Sequence, residues 1–244
     1  MKKKNGTVPA SPGQMKDITS AVVQAIPSGL TSEKAQRIIS QKGKLKKGIE
    51  ALLREIAGSD EVSEMLTEWS RFYREVFSLE TDFSDLVLPE KKEGFNWLII
   101  MQEGMDANTL FEKCQERFKS WHYKDDLSDV TSDRTPHQTY AIWVRDRVEA
   151  DEENKNKSAN TIKKEGISGI TLEERLLLEL FYHWKTGKRL DIENYTLCSG
   201  SRFADGDVPY VDWDGDEMSV NRCHPDSSYD DLRSRSVVSL PKAA

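Results

Sequence analysis

The sequence predicts an α+β fold, predominantly helical, with a buried strand near 95–101 and a small antiparallel β-meander toward the C-terminal end. Three observations lead there. Apolar residues recur at helical spacing in several segments before Gly187. The run Phe95-Asn96-Trp97-Leu98-Ile99-Ile100-Met101 is short, almost wholly apolar and preceded by Pro89 and Gly94. From Tyr195 onward the pattern shortens to β-prone runs separated by Asp205-Gly206 and Asp214-Gly215, both tight-turn dipeptides.

Taken in order, residues 1–13 are rich in Lys, Gly, Pro and Ser without an apolar period, and read as a flexible tail. A short helix is expected over 14–25, broken by Pro27-Ser28-Gly29. Thr31 is placed to cap the next, whose small apolar face is Ala35, Ile38 and Ile39. Gly43 interrupts, and Leu45, Ile49, Leu52, Leu53 and Ile56 then recur at helical spacing up to Gly58. A helix over 60–77 carries Val62, Met65, Leu66, Trp69, Phe72, Tyr73 and Phe77, a face too aromatic to leave in water.

After the strand, a helix is expected from Gly104 to about Trp121, with Leu110, Phe111, Cys114 and Phe118 inward. Another is expected over 136–152, with Tyr140, Val144 and Val148 on the core side and Arg145 and Glu149 as an i,i+4 pair. The polar run 152–157 reads as a linker. Thr171-Leu172-Glu173-Glu174 is a capping box opening a helix over 172–184, whose Leu176, Leu177, Leu180 and Phe181 belong in the core and which Gly187 ends. The β-runs are 195–203, 208–213 and 218–223, and the segment beyond His224 reads as a polar tail. The expected organisation is a flexible tail and basic helical arm over 1–58, then a single α+β main domain over 59–240.

Composition narrows the class. With 37% apolar and 32% charged residues the chain is globular rather than disordered. Its densest apolar run, 97–101, falls far short of the roughly 18 residues of a membrane span. Met1-Lys2-Lys3-Lys4 has the positive start of an export signal without the apolar stretch that must come after it, and three scattered cysteines make no disulfide framework. A soluble cytoplasmic protein is expected, with no membrane partner. The net charge of −7 is unevenly spread: residues 1–58 hold eleven Lys/Arg against four Asp/Glu, a balance of +7 that leaves −14 for the rest. Such an arm can face an anionic partner, be neutralised within the molecule, or simply be a solvated helix face.

Catalytic signatures are weak. Cys198 and Arg202 in Thr196-Leu197-Cys198-Ser199-Gly200-Ser201-Arg202 resemble a phosphate-cradling thiolate loop, but three residues separate them where such loops need five; an inward-packed cysteine fits better. Cys198, Cys223 and His224 lack the paired spacing of zinc ligands. Asp212, Asp214, Asp216 and Glu217 crowd together, without the Gly and the twelfth-position Glu of a calcium loop; an acidic hairpin turn fits better. His122, His137, His183 and His224 stand in no catalytic spacing, and Asp146, Glu149 and Asp151 read as solvated carboxylates. No nucleotide-binding glycine motif is present, so no cofactor and no metal are expected.

The stretch Tyr140-Ala141-Ile142-Trp143-Val144-Arg145-Asp146-Arg147-Val148-Glu149-Ala150-Asp151-Glu152 resembles part of an uncharacterised bacterial family. Similar to it as well are Ser158-Ala159-Asn160, Thr171-Leu172-Glu173-Glu174-Arg175, Leu190-Asp191, 196–202, Asp205-Gly206-Asp207-Val208-Pro209, Trp213 and Arg233-Ser234-Arg235. Ala35-Gln36-Arg37-Ile38-Ile39 with Lys42-Gly43 resembles its N-terminal helix. The likeness spans most of 31–240 and implies no particular activity.

The preferred functional reading is a non-catalytic intracellular binding or accessory protein acting through protein–protein contacts. One alternative is an enzyme of unrecognised type, with a site near the C-terminal hairpins where Arg202, Asp205, Asp207 and Asp212 converge. The other is a non-specific nucleic-acid binder using Lys42, Lys44, Lys46 and Lys47, with Arg37 upstream; it lacks aromatic residues for stacking on bases.

Overall fold

The structure, a computed structural model, describes residues 10–57, 61–124 and 126–241. The chain divides into two compact units, 1–60 and 61–244. Most of the tail expected over 1–13 lies outside the described residues, but its last positions are helical. Ser11 and Gln14 form a capping box at the start of helix α1, Pro12–Gln24, with Pro12 in the first turn, where its missing N–H costs nothing. Helix α2, Ser32–Ser40, is capped by Thr31, whose hydroxyl accepts from the Lys34 amide. Helix α3, Lys42–Ala57, follows after a single residue, so Gly43 lies in its first turn rather than between helices.

The second unit has a mixed α+β fold. Helix α4, Glu61–Phe77, buries Trp69, Phe72, Tyr73 and Val76. It is tied to strand β1, Trp97–Met101, through backbone carbonyls: the Trp69 indole donates to Leu98 O at 3.0 Å and the Tyr73 hydroxyl to Ile100 O at 2.7 Å. Buried polar tips thus find partners while the rings supply apolar area. Helix α5, Ala107–Gln115, is capped by Asp106 and leads into strand β2, Lys119–His122. Strands β3, Thr131–Ser132, and β4, Tyr140–Val144, come next, then a 3-10 turn at Glu152–Asn154 and helix α6, Ala159–Lys164. Helix α7, Leu172–Thr186, carries the predicted capping box and ends on Gly187 at φ 68°, a left-handed position suited to glycine. Leu176, Leu177 and Leu180 are fully buried, and Phe181 packs beside them half-buried.

The remaining strands are β5, Tyr195–Leu197, β6, Ser201–Arg202, β7, Val208–Asp214, β8, Glu217–Cys223, β9, Leu232–Arg233, and β10, Val238–Ser239. Three sheets result among the described residues, in orders β1-β4-β10, β2-β8-β7-β5-β9 and β3-β6. The antiparallel meander expected over 195–223 is the β5-β7-β8 portion of the middle sheet. Its β7–β8 turn sits at Asp214-Gly215, with Gly215 at φ 60°.

Several expectations are corrected. The segment 136–152 is not a helix. Tyr140–Val144 is the central strand of the first sheet, paired with β1 in the register Ile99↔Ile142 and with β10. The four-residue spacing that suggested a helix also places Tyr140 and Val144 on one face of a strand, and Tyr, Ile, Trp and Val favour a pleated, buried surface. Val148 is exposed, and Arg145 pairs with Asp151 rather than with Glu149. The helix expected to reach Trp121 stops at Gln115, and 119–122 joins the middle sheet in parallel beside β8. Residues 195–203 break at Ser199-Gly200, and β6 pairs with β3. The supposed linker 152–157 contains buried Asn154, and the supposed tail contributes β9, β10 and the buried Ser234 and Arg235. Strands therefore matter more than a predominantly helical reading allows.

Candidate functional site

Within the arm, every described side chain from Ala10 to Leu53 lies at least partly in water. Helices α2 and α3 nevertheless form a groove whose floor is Ile38, Leu45, Ile49 and Leu52 and whose edges include Arg37 and Lys44. Leu52 is 53% exposed and Ile56, one turn further along α3, 73%. The four candidate lysines do not form one stripe. At 100° per residue Lys42 and Lys46 share a side of α3, while Lys44 and Lys47 project from other sides. Lys46 Nζ stands 3.6 Å from Glu50 in an exposed i,i+4 pair. The first turn of α3 holds no acid, so Lys42 and Lys44 add to the positive end of the helix dipole rather than offset it. An anionic surface laid there gains from both.

Of the four hairpin residues, only Asp205 and Asp207 are joined through a common partner. The Arg202 guanidinium donates to the carbonyls of Ser199 at 2.9 Å and Ser201 at 2.7 Å, and burial lowers its pKa. Asp205 accepts from Arg222 at 2.5 Å and lies 3.7 Å from Lys124; the Asp207 amide chiefly holds its carboxyl below the ordinary range. Asp207 is 3.2 Å from the same Arg222. Asp212 accepts from the Ser219 hydroxyl, and burial outweighs that bond and raises its pKa. Asp205 and Asp207 thus share Arg222, while Arg202 and Asp212 are engaged elsewhere, and all four stabilise turns and strands. The thiolate-loop resemblance fails on chemistry too: burial drives the Cys198 thiol pKa upward, the reverse of what a nucleophile needs. Its loop instead serves packing. The Gly200 amide donates to Ile170 O, Ser201 Oγ accepts from the Leu172 amide, and a Cβ on Gly200 would stand 2.7 Å from Gly169 O. Cys223 is half-buried and its thiol is pushed up to about 11, mainly by burial, while His224 is exposed. Among the described residues no three His, Cys, Asp or Glu side chains are grouped to hold a metal ion.

The feature that sequence reasoning missed is a buried charge network beside α7. Arg175, fully buried, donates from Nε to Asp191 Oδ2 at 3.0 Å, and its Nη2 stands 2.7 Å from Glu179 and 2.9 Å from Asp191. The Nη2 contacts are ion pairs, and Nη1 has no hydrogen-bond partner among the described residues. Burial alone pulls the Arg175 pKa down, but Glu179 and Asp191 carry it above its ordinary value. Asp191, at φ 50°, also accepts from Arg235 at 2.6 Å and from the Thr196 hydroxyl. Arg235 reaches on to the carbonyls of Arg147 and Val148. A second pair lies at the helix start, where Arg134 donates to both oxygens of buried Glu174 at 2.6 and 2.8 Å and Tyr140 adds a hydroxyl at 3.1 Å. Glu149, read as solvated, accepts from the amides of Ile192, Glu193 and Asn194 and pins that loop. The i,i+4 spacing of Arg175 and Glu179 was visible, but the same spacing marks countless exposed pairs. Only the folded chain brings up Asp191 and Arg235.

No protein-family model, curated protein or solved structure matches the chain. No helix among the described residues is long and apolar enough to cross a membrane.

Proposed function

We propose that the chain is a non-catalytic, cytoplasmic binding protein, in which the second unit is a rigid body and the arm docks a protein partner. The observation that carries this reading is the α2–α3 groove, with Ile38, Leu45 and Leu52 exposed between Arg37 and Lys44. Aliphatic side chains spaced along two helices, with basic edges, suit an amphipathic helix bearing acids on its flanks; burial supplies affinity and charge supplies orientation. Near the hairpins Arg202, Asp205, Asp207 and Asp212 are each taken up by carbonyls, Arg222 or Ser219, which weighs against a reaction site there. Sequence-independent nucleic-acid binding is the second reading, favoured only by the lysines around the start of α3.

The test is a titration of the full chain with a labelled designed peptide, helical, with Leu along one face and Glu on the others, beside duplex DNA and single-stranded RNA at low and moderate salt. The reading predicts saturable peptide binding that falls at least ~10-fold in the Leu45→Asp/Leu52→Asp variant, where two charges replace floor contacts. DNA or RNA binding that disappears when Lys44, Lys46 and Lys47 are all replaced by Ala, with no peptide binding, would replace it by the nucleic-acid reading.

A further inference from the structure

A second recess, of about 120 Å³, opens in the main domain between α4, β1 and α7. Its walls are aromatic: Trp69, Trp97, Phe181 and Tyr182 line it, with Leu98 and Leu178 behind. The rings are fixed by their neighbours. Trp69 stacks on Phe181 with centroids 4.0 Å apart, Phe72 meets both edge-on, and the Trp69 indole is anchored to the β1 backbone. Trp97 and Tyr182, 5.4 Å apart, are half-buried and complete the wall toward solvent.

Among the described residues two charged side chains line this recess, Glu68 and Lys185, and they pair with each other. Lys185 Nζ lies 2.6 Å from Glu68 Oε2 and 5.8 Å from the centroid of the Phe181 ring. An ammonium group therefore already stands at the wall of the recess, between a carboxylate and an aromatic face, which is the arrangement that attracts cations by charge and by the ring quadrupole. Lysine is poorly suited to that position. A lysine ammonium is compact and strongly hydrated, and Lys185 is half-exposed, so holding it there gives up solvation and side-chain freedom. A methylated ammonium is larger, binds water less strongly and offers methyl groups to the rings.

We propose that this recess binds a methylated ammonium group, with Glu68 as its counter-ion, Trp97, Phe181 and Tyr182 as its aromatic contacts, and Lys185 as an internal competitor for Glu68 that swings out into solvent. The inference is independent of the arm and its partner. It names the shared chemistry of two sources, a free quaternary ammonium metabolite and a methylated lysine in a polypeptide.

Calorimetric titration of the full chain separates them. The probes are choline, its neutral isostere 3,3-dimethyl-1-butanol, and one short peptide in trimethyl-lysine and unmodified-lysine forms. Saturable binding of choline, or of the trimethylated peptide over the unmodified one by at least ~10-fold, is expected, with little heat from the neutral isostere. Which of the two binds more tightly identifies the source. Lys185→Ala is expected to tighten binding several-fold by freeing Glu68, and Glu68→Gln to weaken it ~10-fold or more. Both variants alter partly exposed side chains, and circular dichroism checks that they fold. No saturable binding of either methylated probe by the wild type and by Lys185→Ala would overturn the proposal. Equal affinity for choline and its neutral isostere would overturn it too, since the recess would then be merely apolar.

Discussion

Helix α3 of the arm and helix α7 of the main domain have sixteen and fifteen residues, and both carry leucines at helical spacing. Their environments are opposite. Helix α7 buries nine consecutive residues, Leu172 to Leu180, including Glu173, Glu174, Arg175 and Glu179, while α3 leaves Leu45, Leu52, Leu53 and Ile56 exposed. A pattern of apolar residues tells which face of a helix seeks cover and not where the cover comes from. For α7 it comes from β1, β7 and α5 of its own unit, and the charges enclosed there answer one another. For α3, on the proposed reading, a partner supplies it. On that reading an amphipathic stripe is a structural element in one setting and a docking surface in the other.

The sharpest way to break this contrast is to remove a charge from the enclosed network. Asp191→Ala leaves Arg175 and Arg235 buried without their shared carboxylate, and a loss of about 3–5 kcal/mol in urea unfolding is expected. A loss below about 1 kcal/mol would mean that water reaches the network. The next contrast is between leucines. Leu177→Ala, at a fully buried position, should cost about 2–5 kcal/mol, whereas Leu52→Ala should change the unfolding of the main domain by no more than about 0.5 kcal/mol.

Thiol chemistry sharpens the same picture. Burial raises the pKa of Cys114 and of Cys198 well above the ordinary thiol range, so both should resist a thiol reagent in the native state, and Cys223, half-buried and pushed up to about 11, should react slowly. All three should react at once in denaturant. Rapid native labelling of Cys198 would show that the loop after β5 opens.

The smallest effect is a pH dependence. Glu153 is lowered to about 2, first by the hydrogen bond from Arg147. A carboxylate whose folded pKa lies below its unfolded value of about 4.3 adds stability that is complete above that value and is lost as pH falls toward 2. The stability difference between wild type and Glu153→Gln should therefore shrink between about pH 6 and pH 2.5. The pair is half-exposed, so the difference should be slight at any pH, and a constant difference would remove Glu153 as its source.

Much of the scaffold was legible in local chemistry. The Thr171–Glu174 capping box and Gly187 bracket α7, the apolar run marks β1, and Asp214-Gly215 marks the β7–β8 turn, because each signal acts within a few residues. The features that escaped depended on distant partners. Tyr140–Val144 becomes a strand because β1, roughly forty positions earlier in the chain, offers it an edge. Arg235 becomes structural because Asp191 and the carbonyls after β4 surround it. In the candidate site, the groove residues were visible as a stripe and the basic residues as a cluster. The aromatic recess was not, since Trp69, Trp97 and Phe181 come from three separate elements.

Hydrogen exchange of the full chain, with and without the designed acidic peptide, probes the difference between the two helices at every amide. In the free protein, amides of α2 and α3 should exchange far faster than those of α7 and β4. Saturating peptide should slow exchange in α2 and α3 while leaving α7 and β4 unchanged. Protection of α3 equal to that of α7 without peptide, or no slowing of the arm at saturation, would contradict the assignment of the arm as a docking surface.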